Sequence, residues 1–128
     1  MSAPPTPTII ESLILELNDQ TSLLASMALF FSIFNGVMLD HGMFHKDCST
    51  VHGRLRLLDK LAEAEGRVSK TRGILVHARN VIGRVNDNEV RGLIADAVEN
   101  MRTQMEKTAA ALEEMRENMN GMHGGADR

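Results

Sequence analysis

Residues 57–85 read LLDKLAEAEGRVSKTRGILVHARNVIGRV, and residues 90–119 read VRGLIADAVENMRTQMEKTAAALEEMRENM. In both stretches apolar residues recur at steps of three and four, which is the spacing of one face of an α-helix. The short polar sequence Asn86-Asp87-Asn88 lies between them and predicts a turn. Two amphipathic helices joined by such a turn predict an antiparallel helical hairpin with coiled-coil-like packing.

A third helix is predicted ahead of this hairpin. Residues 1–7 hold three prolines and predict a disordered or extended lead. Thr8 is suited to cap a helix that begins at Ile9, and Gly42 is suited to end it. The sequence therefore predicts an all-α fold, a small helical bundle of three main helices. Its single domain spans residues 8–119, and residues 120–128 form a flexible tail.

Residues 21–39 contain no charged side chain, and residues 23–34 are apolar on nearly every side of the predicted helix. Such a helix is buried on most sides or lies in a membrane. A membrane span needs roughly 20 mostly apolar residues. Thr21, Ser22, Ser26, Ser32 and Asn35 interrupt the segment, and Asp19 and Asp40 flank it, which disfavours a span. The segment is therefore expected to form the centre of an oligomer, with a single-span membrane protein that carries a cytoplasmic coiled-coil hairpin as an alternative.

The amino-acid composition also favours a homo-oligomer. The 128 residues include no Trp, no Tyr and four Phe, whereas aromatic side chains usually supply much of a small core. A thin aliphatic core often depends on a second copy for further burial. The predicted oligomer core consists of Leu24, Phe31, Phe34, Leu57, Leu61, Val68, Leu75, Ile82, Ile94, Met101 and Leu112.

The two hairpin helices differ in charge. Residues 54–84 carry eight basic and three acidic side chains, and residues 87–119 carry eight acidic and four basic ones. This difference favours pairing within the chain or between copies, and selects register more than it stabilises. The basic side chains surround their helix and no aromatic stacking platform accompanies them, which argues against nucleic acid as the partner.

His41, His45, Cys48 and His52 fall at i, i+4, i+7 and i+11. On one continuous helix they would share a face, and His and Cys at such spacing bind Zn or Cu. At 1.5 Å per residue the set would extend over roughly 16 Å, so at most two of them reach one ion. A metal- or haem-binding bundle is therefore an alternative, beside the simpler reading of ordinary histidines near helix ends.

No catalytic pattern is present in the sequence: it lacks a Gly-rich phosphate loop, GxSxG and HExxH. We therefore expect a non-enzymatic interaction or assembly module, without a required cofactor. Cys48 is the only cysteine, so no intrachain disulfide forms. The N-terminus has no basic region of the kind that begins a signal peptide. Both features predict a cytoplasmic protein.

Overall fold

A computed structural model describes the backbone of residues 4–126 and the side chains of residues 4–121. Four helices follow one another along the chain: α1 is Pro7–Asp40, α2 is Met43–Cys48, α3 is Val51–Ile82 and α4 is Asn88–Ala126. No strand occurs within residues 4–126. The predicted all-α class is confirmed, and three of the helices are long.

Contacts between the long helices define their directions. Arg116 on α4 reaches Glu65 on α3 at 2.7 Å, and Arg72, farther along α3, lies beside the earlier α4 residue Ala109. The order is reversed, so α3 and α4 form the antiparallel hairpin that the two apolar stripes predict. Hydrogen bonds pair Leu24 with Thr108 and Asn35 with Ala111. In these bonds the later residue of α1 contacts the later residue of α4, so α1 runs parallel to α4. The three long helices therefore form an up-down-up bundle.

The ends of the helices differ in detail from the prediction. The Thr6 hydroxyl accepts the Ile9 amide at 3.2 Å, so Thr6 rather than Thr8 is the cap. The helix then begins at Pro7, where a proline is tolerated because the first turn needs no N–H donor. At the other end, Gly42 adopts a left-handed φ of 63° and ends α1, as predicted.

The start of α4 is capped by Asp87, whose Oδ1 accepts the amides of Glu89 and Val90 at 2.9 and 3.2 Å. The helix continues to Ala126, beyond residue 119, where the predicted domain ends, and into the residues predicted as a tail.

The short helix α2 was not predicted from the sequence. It carries Phe44, which is buried and meets Phe34 of α1 edge to face with ring centroids 6.2 Å apart. The turn after α2 is tight, because a Cβ on Gly53 would meet the Asp47 carbonyl oxygen and the Thr50 hydroxyl. Thr50 caps α3 by accepting the Gly53 amide at 3.0 Å. The segment from Gly42 to Gly53 thus reverses the chain and closes one end of the bundle.

Candidate interaction surface

The residues predicted as an oligomer core lie inside a single chain. Phe34 and Ile82 are partly buried against the core, and the other nine are buried. Their apolar side chains pack against one another across α1, α3 and α4, so they form the core of one chain. The buried set comprises Leu24, Phe31, Leu57, Leu61, Val68, Leu75, Ile94, Met101 and Leu112.

A second apolar surface lies on the opposite side of α1. Leu29 is 64% exposed, Phe30 49%, Ile33 58% and Val37 50%. Leu29, Ile33 and Val37 follow one another at steps of four, which aligns them along one side of the helix. We call these four residues the α1 outer face. Scattered exposed apolar residues are normal, but a contiguous group indicates a binding surface.

The sequence did not predict these four residues as a surface, because only one apolar stripe was assigned to each helix. The residues of that stripe became the core of the chain. The signal for the outer face was nevertheless present, since residues 23–34 are apolar on nearly every side of the helix. A helix with no polar face predicts contacts on two sides, and the fold supplies one of them.

A groove between α1 and α4 borders the α1 outer face. Leu29 contributes to its wall, while small side chains from both helices form its floor. Lys107 and Glu114 of α4 also line it, and both are exposed. The small residues in the groove are Ala25, Ala28, Ser32, Ala110 and Ala111.

Two buried hydrogen bonds hold α1 against α4 beneath this groove. The Thr108 hydroxyl donates to the Leu24 carbonyl oxygen at 2.8 Å, and Asn35 Nδ2 donates to the Ala111 carbonyl oxygen at 2.9 Å. Asn35 Oδ1 is buried without a hydrogen-bond partner. Buried polar pairs of this kind fix the register of packed helices, because any shift leaves donors unsatisfied.

The ammonium group of Lys60 lies over one edge of the α1 outer face. Lys60 Nζ of α3 lies 5.4 Å from the centroid of the Phe30 ring and 5.8 Å from that of Phe34. The ammonium group is attracted to the ring faces while it stays in water. Within the α1 outer face, Lys60 lies over Phe30, whereas Leu29, Ile33 and Val37 remain exposed to solvent.

The predicted metal-binding residues lie on three different elements. His41 caps the end of α1, His45 and Cys48 lie on α2, and His52 lies in the first turn of α3. The breaks at Gly42 and Ser49 therefore interrupt the helical spacing on which the prediction was based. In the part of the chain that the structure describes, no three His, Cys, Asp or Glu side chains are grouped to hold a metal ion.

The surroundings of Cys48 shift the pKa of its thiol. Burial raises the pKa of its thiol, Arg54 opposes that shift, and Asp47 adds to it. The thiolate is the form that attacks or binds metal, so a raised pKa reduces its fraction at neutral pH.

Helix α1 meets the length and hydropathy of a membrane span. Its most apolar 18-residue window has a mean hydropathy of 1.9, and 28% of that window is buried in the bundle. Core helices of soluble proteins and signal sequences have the same properties, so length and composition alone do not assign the helix to a membrane.

Comparison with known proteins provides no relative: no family model matches the chain, and no curated protein or solved structure is significantly similar to it.

Proposed function

We propose that the protein is a non-enzymatic assembly module that acts as a homo-oligomer, and that the α1 outer face is its contact surface. The observation that carries the proposal is the exposure of Leu29, Phe30, Ile33 and Val37 on a helix whose other side supplies the core. Burying one such side chain contributes roughly 1.5–3 kcal/mol. Association of two copies would gain this free energy on both sides of the contact.

Packing within the chain supports a protein contact over a membrane. Leu17 and Leu24 of α1 are fully buried, and α1 is tied to α4 by the two buried hydrogen bonds. Transfer of α1 into a bilayer would break these contacts. It would also expose Met101 and Leu112 of α4 to water, which is unfavourable. A second copy covers the outer face and leaves the bundle intact.

The proposal is tested by placing a charge on the outer face. Ile33→Glu should convert the oligomer to a monomer of native helicity, because an unpaired carboxylate in an apolar contact is costly. Val76→Glu is the matched control, since Val76 of α3 is 56% exposed and Ile33 is 58% exposed. Light scattering after size exclusion measures the mass, and circular dichroism measures the helicity. An unchanged mass for the Ile33 variant would refute the proposal.

A membrane function is the second candidate, and the hydropathy of α1 is the observation that favours it. Flotation of the untagged protein with phosphatidylcholine vesicles tests it. Protein that floats, and stays with the vesicles at high salt, would replace the oligomer proposal with a membrane one. Protein that remains at the bottom of the gradient would support the oligomer. The proposed homo-oligomer is a cytoplasmic protein, which agrees with its single, unpaired cysteine.

A further inference from the structure

We infer that the partner is a second copy of this chain in an antiparallel arrangement, with a two-fold axis that crosses α4 between Ala110 and Ala111. This inference rests on the proposed homo-oligomer and specifies its geometry. It depends on the positions of Lys107 and Glu114, the two charged groups that line the groove beside the α1 outer face.

These two charges are placed symmetrically about one point of α4. Lys107 and Glu114 are seven residues apart, which is nearly two helical turns, so they lie on the same side of α4. Their midpoint falls between Ala110 and Ala111. Ala110 is exposed there, and its small side chain permits another helix to approach closely.

A two-fold axis at this midpoint pairs the charges. In an isologous contact the same patch faces itself, so an antiparallel copy brings its residue 114 opposite residue 107 and its residue 107 opposite residue 114. Two reciprocal Lys107–Glu114 ion pairs then flank the Ala110–Ala111 contact. A parallel copy would instead lie with the uncharged residues 21–39 of its α1 over α4, and neither charge would find a partner.

These two charges are also available for contact with a second copy. Some of the charged side chains of α4 are engaged within the chain: Arg102 pairs with Glu99 and Glu106, and Arg116 pairs with Glu65. Within the described residues, neither Lys107 nor Glu114 forms an ion pair or a hydrogen bond. Both remain available to a second copy.

The apolar part of the contact agrees with the same axis. The α1 residues that line the groove, from Ala25 to Ser32, lie level with Gln104 to Glu114 of α4. The axis therefore passes α1 close to Leu29, so the Leu29 side chains of the two copies meet and Ile33 of one copy lies opposite Ala25 of the other. Burial of this apolar surface supplies affinity, and the two ion pairs select the antiparallel orientation.

Charge exchange tests this geometry. Lys107→Glu alone places two carboxylates opposite each other at both sites, and Glu114→Lys alone does the same with two ammonium groups. Each variant should dissociate at least about tenfold more readily than the wild type, since like charges across an interface repel. The double variant Lys107→Glu, Glu114→Lys restores both pairs and should recover the wild-type dissociation constant.

A mixture of the two single variants gives the sharpest result. Each single variant opposes itself, yet the two are complementary to each other, so native mass spectrometry should find mainly the heterodimer. A statistical mixture, in which the two homodimers together are as abundant as the heterodimer, would overturn the arrangement.

A cysteine crosslink provides an independent readout. In a Cys48→Ser background, Ala110→Cys should form a disulfide between copies on mild oxidation, because this position lies at the axis. Ala95→Cys, an exposed alanine on the same helix, should not crosslink because it lies far from the axis. Equal crosslinking at both positions would also overturn the arrangement.

The outcomes separate the two proposals. A monomeric wild-type protein overturns the homo-oligomer and this geometry together. An oligomer that Ile33→Glu dissociates, but that neither charge variant weakens, overturns only the antiparallel arrangement.

Discussion

Residues 21–39 of α1 and residues 59–72 of α3 are both mid-helix segments with one buried side, yet their outer sides differ completely. The α3 segment exposes Asp59, Glu63, Lys70 and Arg72, and it exposes no large apolar residue. The α1 segment has no charged residue at all. The outer side of α3 is suited to water, whereas the outer side of α1 is suited to an apolar contact.

This difference shows that one bundle holds two kinds of apolar surface. The inner side of α1 meets α4 through complete packing and buried hydrogen bonds, and it folds the chain. The outer side leaves Leu29 and Ile33 more than half exposed and contributes little to the folding of one chain. Substitutions on the two sides should therefore have effects as different as their burial indicates.

The largest expected effect comes from a charge on the inner side. Asn35 is fully buried, so Asn35→Asp should lower the free energy of unfolding by about 3–5 kcal/mol, whereas Ser22→Asp on the exposed side should change it little. Burial raises the pKa of the introduced carboxyl. The loss should therefore be absent below about pH 3.9, the ordinary pKa of Asp, and grow as the pH rises above it. Urea denaturation from pH 3 to 8 measures both variants. A pH-independent loss would contradict this account.

Truncation of leucines on the two sides should give the next largest difference. Leu24 is fully buried, and Leu24→Ala should cost about 2–5 kcal/mol of unfolding free energy. Leu29→Ala should cost under about 0.5 kcal/mol in dilute protein. Its effect should grow with concentration, because association then adds to stability. Urea titrations at low and high protein concentration test this, and equal losses at all concentrations would remove the distinction between the sides.

Glycines on α3 provide a smaller contrast that is independent of association. Gly53→Ala should lower the melting temperature, because the new Cβ would meet the Asp47 carbonyl and the Thr50 hydroxyl. Gly66→Ala should stabilise the charged α3 segment by roughly 0.5–1 kcal/mol, since no atom outside its own stretch of helix backbone lies within 4 Å of its Cβ position. Thermal unfolding followed by circular dichroism measures both changes. Stabilisation by both substitutions would show that the turn before α3 is not tight.

The smallest effect should come from the charged surface itself. A hydrogen bond from Arg102 lowers the pKa of Glu99, so this pair favours folding above the ordinary Glu pKa and ceases to do so as the pH falls through the lower folded value. Glu99→Gln should reduce stability slightly at pH 7, by less than any change above. The difference from wild type should disappear in acid. A loss as large as that of Leu24→Ala would show that surface charge, rather than apolar burial, dominates this bundle.

The apolar stripes predict most of the fold, because helical spacing alone specifies which residues are buried together. Leu57 and Leu61 on α3, and Ile94 and Met101 on α4, are all buried in the hairpin core. Helix ends were less predictable: Thr6 rather than Thr8 caps α1, since neighbouring residues can cap equally well.

Other features depended on tertiary contacts that spacing does not contain. The helix α2 is short and lacks a stripe of its own, and it is held by the burial of Phe44. The His and Cys positions matched a helical face only if Gly42 and Ser49 did not interrupt the helix, and both do. The distinction between the core and the α1 outer face required knowing which side of α1 meets α4.

The most direct test of the central claim is the absolute mass of untagged, detergent-free protein, measured by size exclusion with light scattering over a range of concentrations. One chain has a mass of 14.1 kDa. The account predicts a soluble species with the mass of two chains, which falls to the mass of one chain in the Ile33→Glu variant. A wild-type protein with the mass of one chain at every concentration, or one recovered only in detergent, would contradict it.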